Sequence, residues 1–204
     1  LTRYHSINEL FEVVHQTYIG SGKNIFVILV GGCSRAGKST LSSALAEQFS
    51  NNRIENRVIN TDSWLISVEK RKTGSKVAER YDLDEINAAL EKILNGETVL
   101  PPVYDPATRK RVEGATDKAI QLNAGVLIVE GVITMADRNL LAKSQIKIFV
   151  EIGDALRIKR LIEFYRKVKK VDRNTYKQII LEREKEETLF VKATAENADF
   201  LFTW

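Results

Sequence analysis

Gly31-Gly32-Cys33-Ser34-Arg35-Ala36-Gly37-Lys38-Ser39-Thr40 decides the reading of this chain, because it carries the pattern G-x-x-x-x-G-K-[ST] directly after the apolar run Ile25 to Val30. After it, Leu41, Ala44, Leu45 and Phe49 recur at helical spacing. A strand, a glycine-rich turn and a helix in this order form a phosphate-binding loop. Backbone N–H groups from Gly32 through Cys33, Ser34, Arg35, Ala36 and Gly37 to Lys38 are expected to curl round a β-phosphate, and the helix adds its unpaired N-terminal donors and dipole. Gly32 and Gly37 permit positive φ, Lys38 bridges the β- and γ-phosphates, and the Ser39 hydroxyl ligates magnesium. Thr40 continues the helix. Cys33, near a helix N-terminus and Lys38, is expected to have a stabilised thiolate, so that alkylation inactivates and Mg-ATP protects.

Working outward, 204 residues suit one domain, and 44% hydrophobic with 28% charged residues is the balance of a globular protein rather than a disordered one. We expect an amphipathic helix over 1–22 and a single domain over 23–204. An excess of 31 basic over 27 acidic residues leans weakly towards anionic ligands, and a nucleotide accounts for it. No recognition helix, aromatic-basic motif or basic tail points to nucleic acid. No apolar run reaches the roughly 18 residues of a membrane span, and Leu1 to His5 has no signal-peptide core, so a soluble protein without a membrane partner is expected. The single cysteine suits a reducing cytoplasm. Both histidines, His5 and His15, lie in the first helix, so a general base should be a carboxylate.

Along the chain, Ser6-Ile7-Asn8-Glu9 is a capping box opening a helix with Ile7, Leu10, Phe11 and Val14 on one face. Arg57 to Asp62 is a short strand ending in an acid, which stands beside the phosphate loop if the two strands are near neighbours. Glu69 to Arg80 reads as a mobile loop, and Asp84 starts a helix that Gly96 closes. Ala119 to Leu122 and Val126 to Glu130 are strand-like around the turn Asn123-Ala124-Gly125, a possible local hairpin. Leu127-Ile128-Val129-Glu130 is a buried strand with a terminal carboxylate suited to magnesium. A further strand, Ile146 to Ile152, precedes a helix capped by Asp154, with Ile158, Leu161, Ile162 and Tyr165 buried and Arg157, Arg160 and Lys167 on an adjacent face within reach of phosphates. Asp172 to Glu196 is helical, and Phe200 to Phe202 is a last strand. This alternation predicts an α/β fold, a mainly parallel β-sheet with helices on both faces.

The loop, Thr61-Asp62-Ser63-Trp64, Tyr81-Asp82, Pro102-Val103-Tyr104-Asp105 with Thr108-Arg109 and Arg111, Val129-Glu130-Gly131-Val132 and Lys147 to Val150 occur in one order. Together they resemble the uridine kinase and phosphoribulokinase group of phosphate-loop kinases, from about Asn24 to Ala198-Asp199. The resemblance implies the P-loop NTPase fold with a small helical lid, and ATP- and Mg²⁺-dependent transfer of the γ-phosphoryl group to a hydroxyl, first of all the 5'-hydroxyl of uridine or cytidine. It implies that Asp62 is the base and lies near the metal with Ser39 and Glu130. It further implies that Asp82 and Tyr104 hold the nucleoside and that Arg157 and Arg160 belong to the lid that neutralises the phosphates. Two departures touch the acceptor pocket: Arg109 stands where the family's pyrimidine-contacting histidine would be, and Thr61 to Trp64 replaces an aspartate-aspartate-phenylalanine-tyrosine turn. Pantothenate, a sugar phosphate and another nucleoside are the alternative acceptors, GTP the alternative donor, and a homo-oligomer is compatible with the sequence. A nucleotide-hydrolysing switch is the rival class, but the N-K-x-D guanine motif is absent.

Overall fold

The computed structural model of the chain describes residues 1–112, 118–170 and 172–204. Its centre is β2 (Ile25–Gly32), buried along its whole length. Six strands form one sheet in the order β1-β8-β7-β2-β6-β3, with β1 at Thr2–Tyr4, β3 at Asn56–Asn60, β6 at Gly125–Glu130, β7 at Ile146–Glu151 and β8 at Phe200–Thr203. Every pairing in it is parallel. Apolar runs such as Phe26-Val27-Ile28-Leu29 satisfy such strands because both faces are covered.

The alternation of side chains assigns each face its helices. Phe26, Ile28 and Val30 pack with Leu10, Phe11 and Val14 of α1 (Ile7–Ser21) and Leu41, Leu45 and Phe49 of α2 (Lys38–Asn51). Val27 and Leu29 point the other way, onto Ile86, Leu90 and Ile93 of α3 (Leu83–Leu94) and Leu140 of α4 (Arg138–Lys143). Each buried Leu, Ile or Phe contributes about 1.5–3 kcal/mol, so both layers are needed to hold β2. A two-stranded antiparallel hairpin, β4 (Val103–Asp105) with β5 (Lys110–Val112), stands apart from the sheet. The lid is helical: α5 (Asp154–Lys167) packs on α6 (Arg173–Arg183) through Leu161, Tyr165, Tyr176 and Ile180. A π-helical turn, Glu184–Thr188, joins α6 to α7 (Leu189–Ala193).

The structure corrects several expectations. No hairpin joins residues 119–122 to β6. Ile120 instead bridges antiparallel to Val99, while β6 runs parallel between β2 and β3. The first residues do more than form a helix, since Thr2–Tyr4 adds an edge strand against β8. Helix α3 starts one residue earlier than expected, with Asp82 as its cap. Gly153, not Asp154, stands at the cap position of α5. Ser6 does cap α1, its hydroxyl accepting from Glu9 N at 3.4 Å.

Candidate active site

Between β2 and α2 the chain turns through Gly32 at φ 139° and Gly37 at φ 105°, conformations that side chains rarely adopt. Space enforces glycine as well: an added Cβ would lie 2.5 Å from the Val150 carbonyl oxygen at Gly32 and 2.3 Å from the Trp204 indole nitrogen at Gly37. Gly37→Ala should therefore destabilise the protein by about 1–3 kcal/mol and weaken nucleotide binding, which a melting curve with and without Mg-ATP would read. Lys38 opens α2 and turns back so that Nζ donates to the Cys33 carbonyl at 3.1 Å. Burial lowers the Lys38 ammonium below its ordinary pKa, while Asp62 and Glu130 pull the other way. The lysine is thus tethered inside the turn beside two acids.

Sheet register brings the acids there. Val30, Glu130 and Asn60 lie in one row across β2, β6 and β3 at the carboxyl edge, where open α/β sheets bind ligands. β6 separates β3 from β2, so Glu130 is the acid directly beside the loop and Asp62 stands one strand further out. Ser39 Oγ donates to Glu130 Oε2 at 2.9 Å, and Asn60 Nδ2 donates to Glu130 Oε1 at 3.2 Å. Burial raises Glu130 above the usual carboxylate pKa, against the opposing effects of Ser39 and Lys38. A hydroxyl and carboxylates form an all-oxygen donor set of the kind magnesium takes with nucleotide phosphates. Among the described residues no group of three or more His, Cys, Asp or Glu could hold a metal by itself.

Asp62 sits in a 3₁₀ turn, Thr61–Trp64, its N–H donating to Asn60 Oδ1 at 2.8 Å. Tyr81 OH donates to Asp62 Oδ1 at 3.1 Å. Burial, and then the adjacent Asp62 carboxylate, raise Tyr81 well above the ordinary tyrosine pKa, so the hydroxyl stays a donor. Asp62 faces a cavity of about 1130 Å³ walled by the loop residues Ser34 and Arg35, the 59–81 segment, the hairpin and the lid. Tyr104 and Arg109 line it too, as do the unanticipated Arg71, Lys169 and Arg183.

Other candidate positions fall elsewhere. Asp82 accepts from Glu85 N at 3.1 Å as the cap of α3 and is absent from this cavity's wall. Arg157 was expected on the phosphate-facing side of α5 but is buried at 2% exposure. It donates to both Glu184 carboxylate oxygens, at 2.9 and 2.5 Å, and to Asp154 at 3.2 Å, so it ties α5 to the π turn. Arg160 lines neither this cavity nor a smaller one of about 340 Å³ bordered by Cys33, Ala36 and Arg157. Thr40 is an exposed residue of α2.

Cys33 corrects another expectation. Its side chain is 5% exposed, and burial pushes the thiol up despite Arg157 and Lys38. Iodoacetamide should label Cys33 at least about tenfold more slowly in the native protein than in denaturant, by the dependence of reactivity on thiolate and access. Fast labelling that Mg-ATP blocks would restore the original expectation.

Lys169 follows α5, its Nζ 5.7 Å from the Phe164 ring centre and 5.6 Å from that of Tyr165. Burial, then the cations Arg109, Arg183, Arg35 and Arg71, lower its pKa to about 8. The ammonium is therefore present below that value and lost as pH rises through it. Affinity for anionic ligands should fall above about pH 8 in wild type, and Lys169→Arg should retain it, because guanidinium does not titrate there. Titrating KM for Mg-ATP and for the acceptor across this range checks it, and identical profiles in both proteins would contradict it.

Comparison with known proteins accords with this architecture. The family described as phosphoribulokinase / uridine kinase matches residues 27–203. A uridine kinase of Lactococcus lactis subsp. cremoris (strain MG1363) is 36% identical over 146 residues, 69% of this chain and 68% of that protein. One of Streptococcus uberis (strain ATCC BAA-854 / 0140J) is 35% identical over 144 residues, 67% and 66% respectively. Among solved structures, a candidate fructose transport system kinase from Silicibacter sp. TM1040 aligns at TM-score 0.76 and 20% identity, covering 98% of this chain and all of that one. D-glycerate 3-kinase from Cryptococcus neoformans var. grubii aligns at TM-score 0.61 and 12% identity, over 85% and 84% of the two chains. These structural likenesses carry the fold alone. No helix among the described residues is long and apolar enough to cross a membrane. With the loop, the parallel sheet and these matches in agreement, the chain belongs to the phosphoribulokinase / uridine kinase family and is an ATP-dependent kinase that transfers a phosphoryl group to a hydroxyl.

Proposed function

We propose that the acceptor hydroxyl enters the large cavity and meets the donor's γ-phosphoryl group at Asp62. The observation that carries this reading is the position of Asp62, on the cavity wall and electrostatically coupled to Lys38, whose own side chain closes the phosphate turn. Phosphoryl transfer has a loose transition state, so the protein's work is alignment and charge neutralisation. Lys38 would move from the Cys33 carbonyl to the β- and γ-phosphates. Ser39, Asp62 and Glu130 would hold magnesium, which neutralises phosphate charge when bound. Asp62 would orient the acceptor hydroxyl and take its proton late, with Tyr81 fixing the carboxylate. Lid helices α5 and α6 would close over the cleft and exclude water that otherwise hydrolyses the donor.

For the acceptor, the relatives named uridine kinase support uridine or cytidine. Arg109, on the cavity wall, favours a second reading in which the acceptor bears an anion, because guanidinium only donates and suits a carboxylate or phosphate. Measuring kcat/KM for uridine, cytidine, pantothenate and ribulose 5-phosphate, in wild type and Arg109→His, separates the readings. Efficient uridine turnover that is unchanged by the substitution supports the nucleoside reading and denies Arg109 a role in specificity.

A further inference from the structure

The geometry points to an anion-binding subsite in the acceptor half of the large cavity, built by Arg71, Arg109 and Lys169 beside the Tyr104 hydroxyl, that takes a carboxylate or phosphate carried by the acceptor. This rests on the reading of that cavity as the acceptor site and names the class of molecule it takes. All four side chains line the one cavity, from three different parts of the chain.

Two of the cations are held by local structure. Arg71 Nε donates to the Ile66 carbonyl at 2.7 Å and Nη2 to Tyr104 OH at 3.1 Å, which leaves three of its five N–H donors without a partner among the described residues. Tyr104 is thereby engaged with a cation. Arg109 has φ 60°, an uncommon conformation for a residue other than glycine, and its backbone is pinned at both ends. Its N–H donates to the Asp105 carbonyl at 2.8 Å, and its carbonyl accepts from Val68 N at 3.1 Å. The Ser67 hydroxyl also accepts from Arg111 N at 2.8 Å, so the β4–β5 hairpin is joined to the segment that carries Arg71. Lys169 approaches from the lid, close enough to these arginines to feel their charge.

Pairing separates these cations from Arg80 and Arg183, while Arg35, Lys72 and Lys118 also line the cavity without a carboxylate partner among the described residues. Arg80 and Arg183 line the same cavity, yet Arg80 pairs with Glu186 at 2.9 Å and Arg183 with Glu187 at 2.5 Å. Among the described residues, Arg71, Arg109 and Lys169 have no carboxylate within 4.0 Å. Closing the lid over unpaired cations and a neutral ligand would withdraw charge from water without compensation, whereas a bound anion compensates it. The donor's phosphates are expected at the cage Gly32–Lys38, whose Arg35 shares the cavity and lies near Lys169, so that Lys169 faces both anions, whereas Arg71 and Arg109 belong to the 59–81 segment and the hairpin rather than to the cage.

The test is calorimetric binding to the full chain loaded with Mg²⁺ and a non-hydrolysable ATP analogue. Ribulose 5-phosphate is compared with ribulose, pantothenate with pantothenol, and uridine is included as a neutral nucleoside. At least one anionic member should bind tenfold or more tightly than its neutral partner and than uridine, and which pair shows it identifies phosphate or carboxylate as the anion. Arg71→Met and Arg109→Met should each abolish that difference, and Arg109→Lys should restore part of it, with affinity for the ATP analogue as the folding control. Equal binding within both pairs, or tightest binding of uridine, while the ATP analogue still binds, overturns the subsite and leaves the kinase assignment standing. Loss of the preference in none of the variants overturns it too. Failure of wild type to bind the ATP analogue would remove the reading on which the subsite rests, and the subsite with it.

Discussion

Lys38→Ala should lower kcat/KM by at least about 3 kcal/mol, or roughly a hundredfold or more, by removing a charge that strengthens its contacts as the phosphoryl group transfers. The fold should survive, because among the described residues the lysine's side chain hydrogen-bonds only to the Cys33 carbonyl beside it. A melting temperature within a few degrees of wild type, with turnover lost, separates catalysis from stability. Turnover near the wild-type rate would contradict the assignment of the loop as a phosphate cage.

Asp62→Asn should keep nucleotide affinity within a few-fold and reduce kcat by about 10²–10⁴, the usual contribution of a positioned base. The substitution is nearly isosteric, and the amide oxygen can still accept from Tyr81 OH, so orientation is retained while proton acceptance is lost. Single-turnover kinetics with saturating Mg-ATP would isolate the chemical step. If the rate persists, Asp62 serves only to shape the Thr61–Trp64 turn. Tyr81→Phe offers a graded comparison: it removes the hydrogen bond that fixes the carboxylate, and a smaller loss in kcat is expected.

How much of this was readable in the sequence depends on how local the interactions are. The strand, loop and first helix were, because the glycines, the lysine and the apolar periodicities are contiguous. The layer of helices on each face followed from alternation of strands and amphipathic stretches. Thr2–Tyr4 is not legible in sequence because three residues carry no period, and its strand forms by pairing with residues 200–202 at the other end of the chain. Ile120 reads as half of a hairpin until Val99 is known to bridge it.

At the site, Lys38, Ser39, Asp62 and Glu130 come together through parallel register, which the strand-terminal acids foreshadow. Helical spacing alone puts Arg157 on the phosphate-facing side, but its partner Glu184 is 27 residues away, and only the packed lid shows that the guanidinium is turned inward. Tyr81 and Asp82 are adjacent in sequence and went to opposite tasks, one touching Asp62 and the other capping α3. Cys33 illustrates a competition of magnitudes: proximity to cations favours the thiolate, but burial outweighs it. Lys169 has no motif around it. Its significance comes from the four arginines that converge on it from the loop, the 71 region, the hairpin and α6.

This family member is proposed to couple ATP consumption to phosphorylation of a hydroxyl in the cleft beside Asp62. Phosphorus NMR of reactions with Mg-ATP, run with and without a panel of uridine, cytidine, pantothenate and ribulose 5-phosphate, tests it most directly. ADP formation should depend on one of these acceptors, with one equivalent of a new phosphate ester per ADP, and both signals should be lost in Asp62→Asn. ADP and inorganic phosphate released at the same rate whether or not an acceptor is present, with no ester formed, would contradict it.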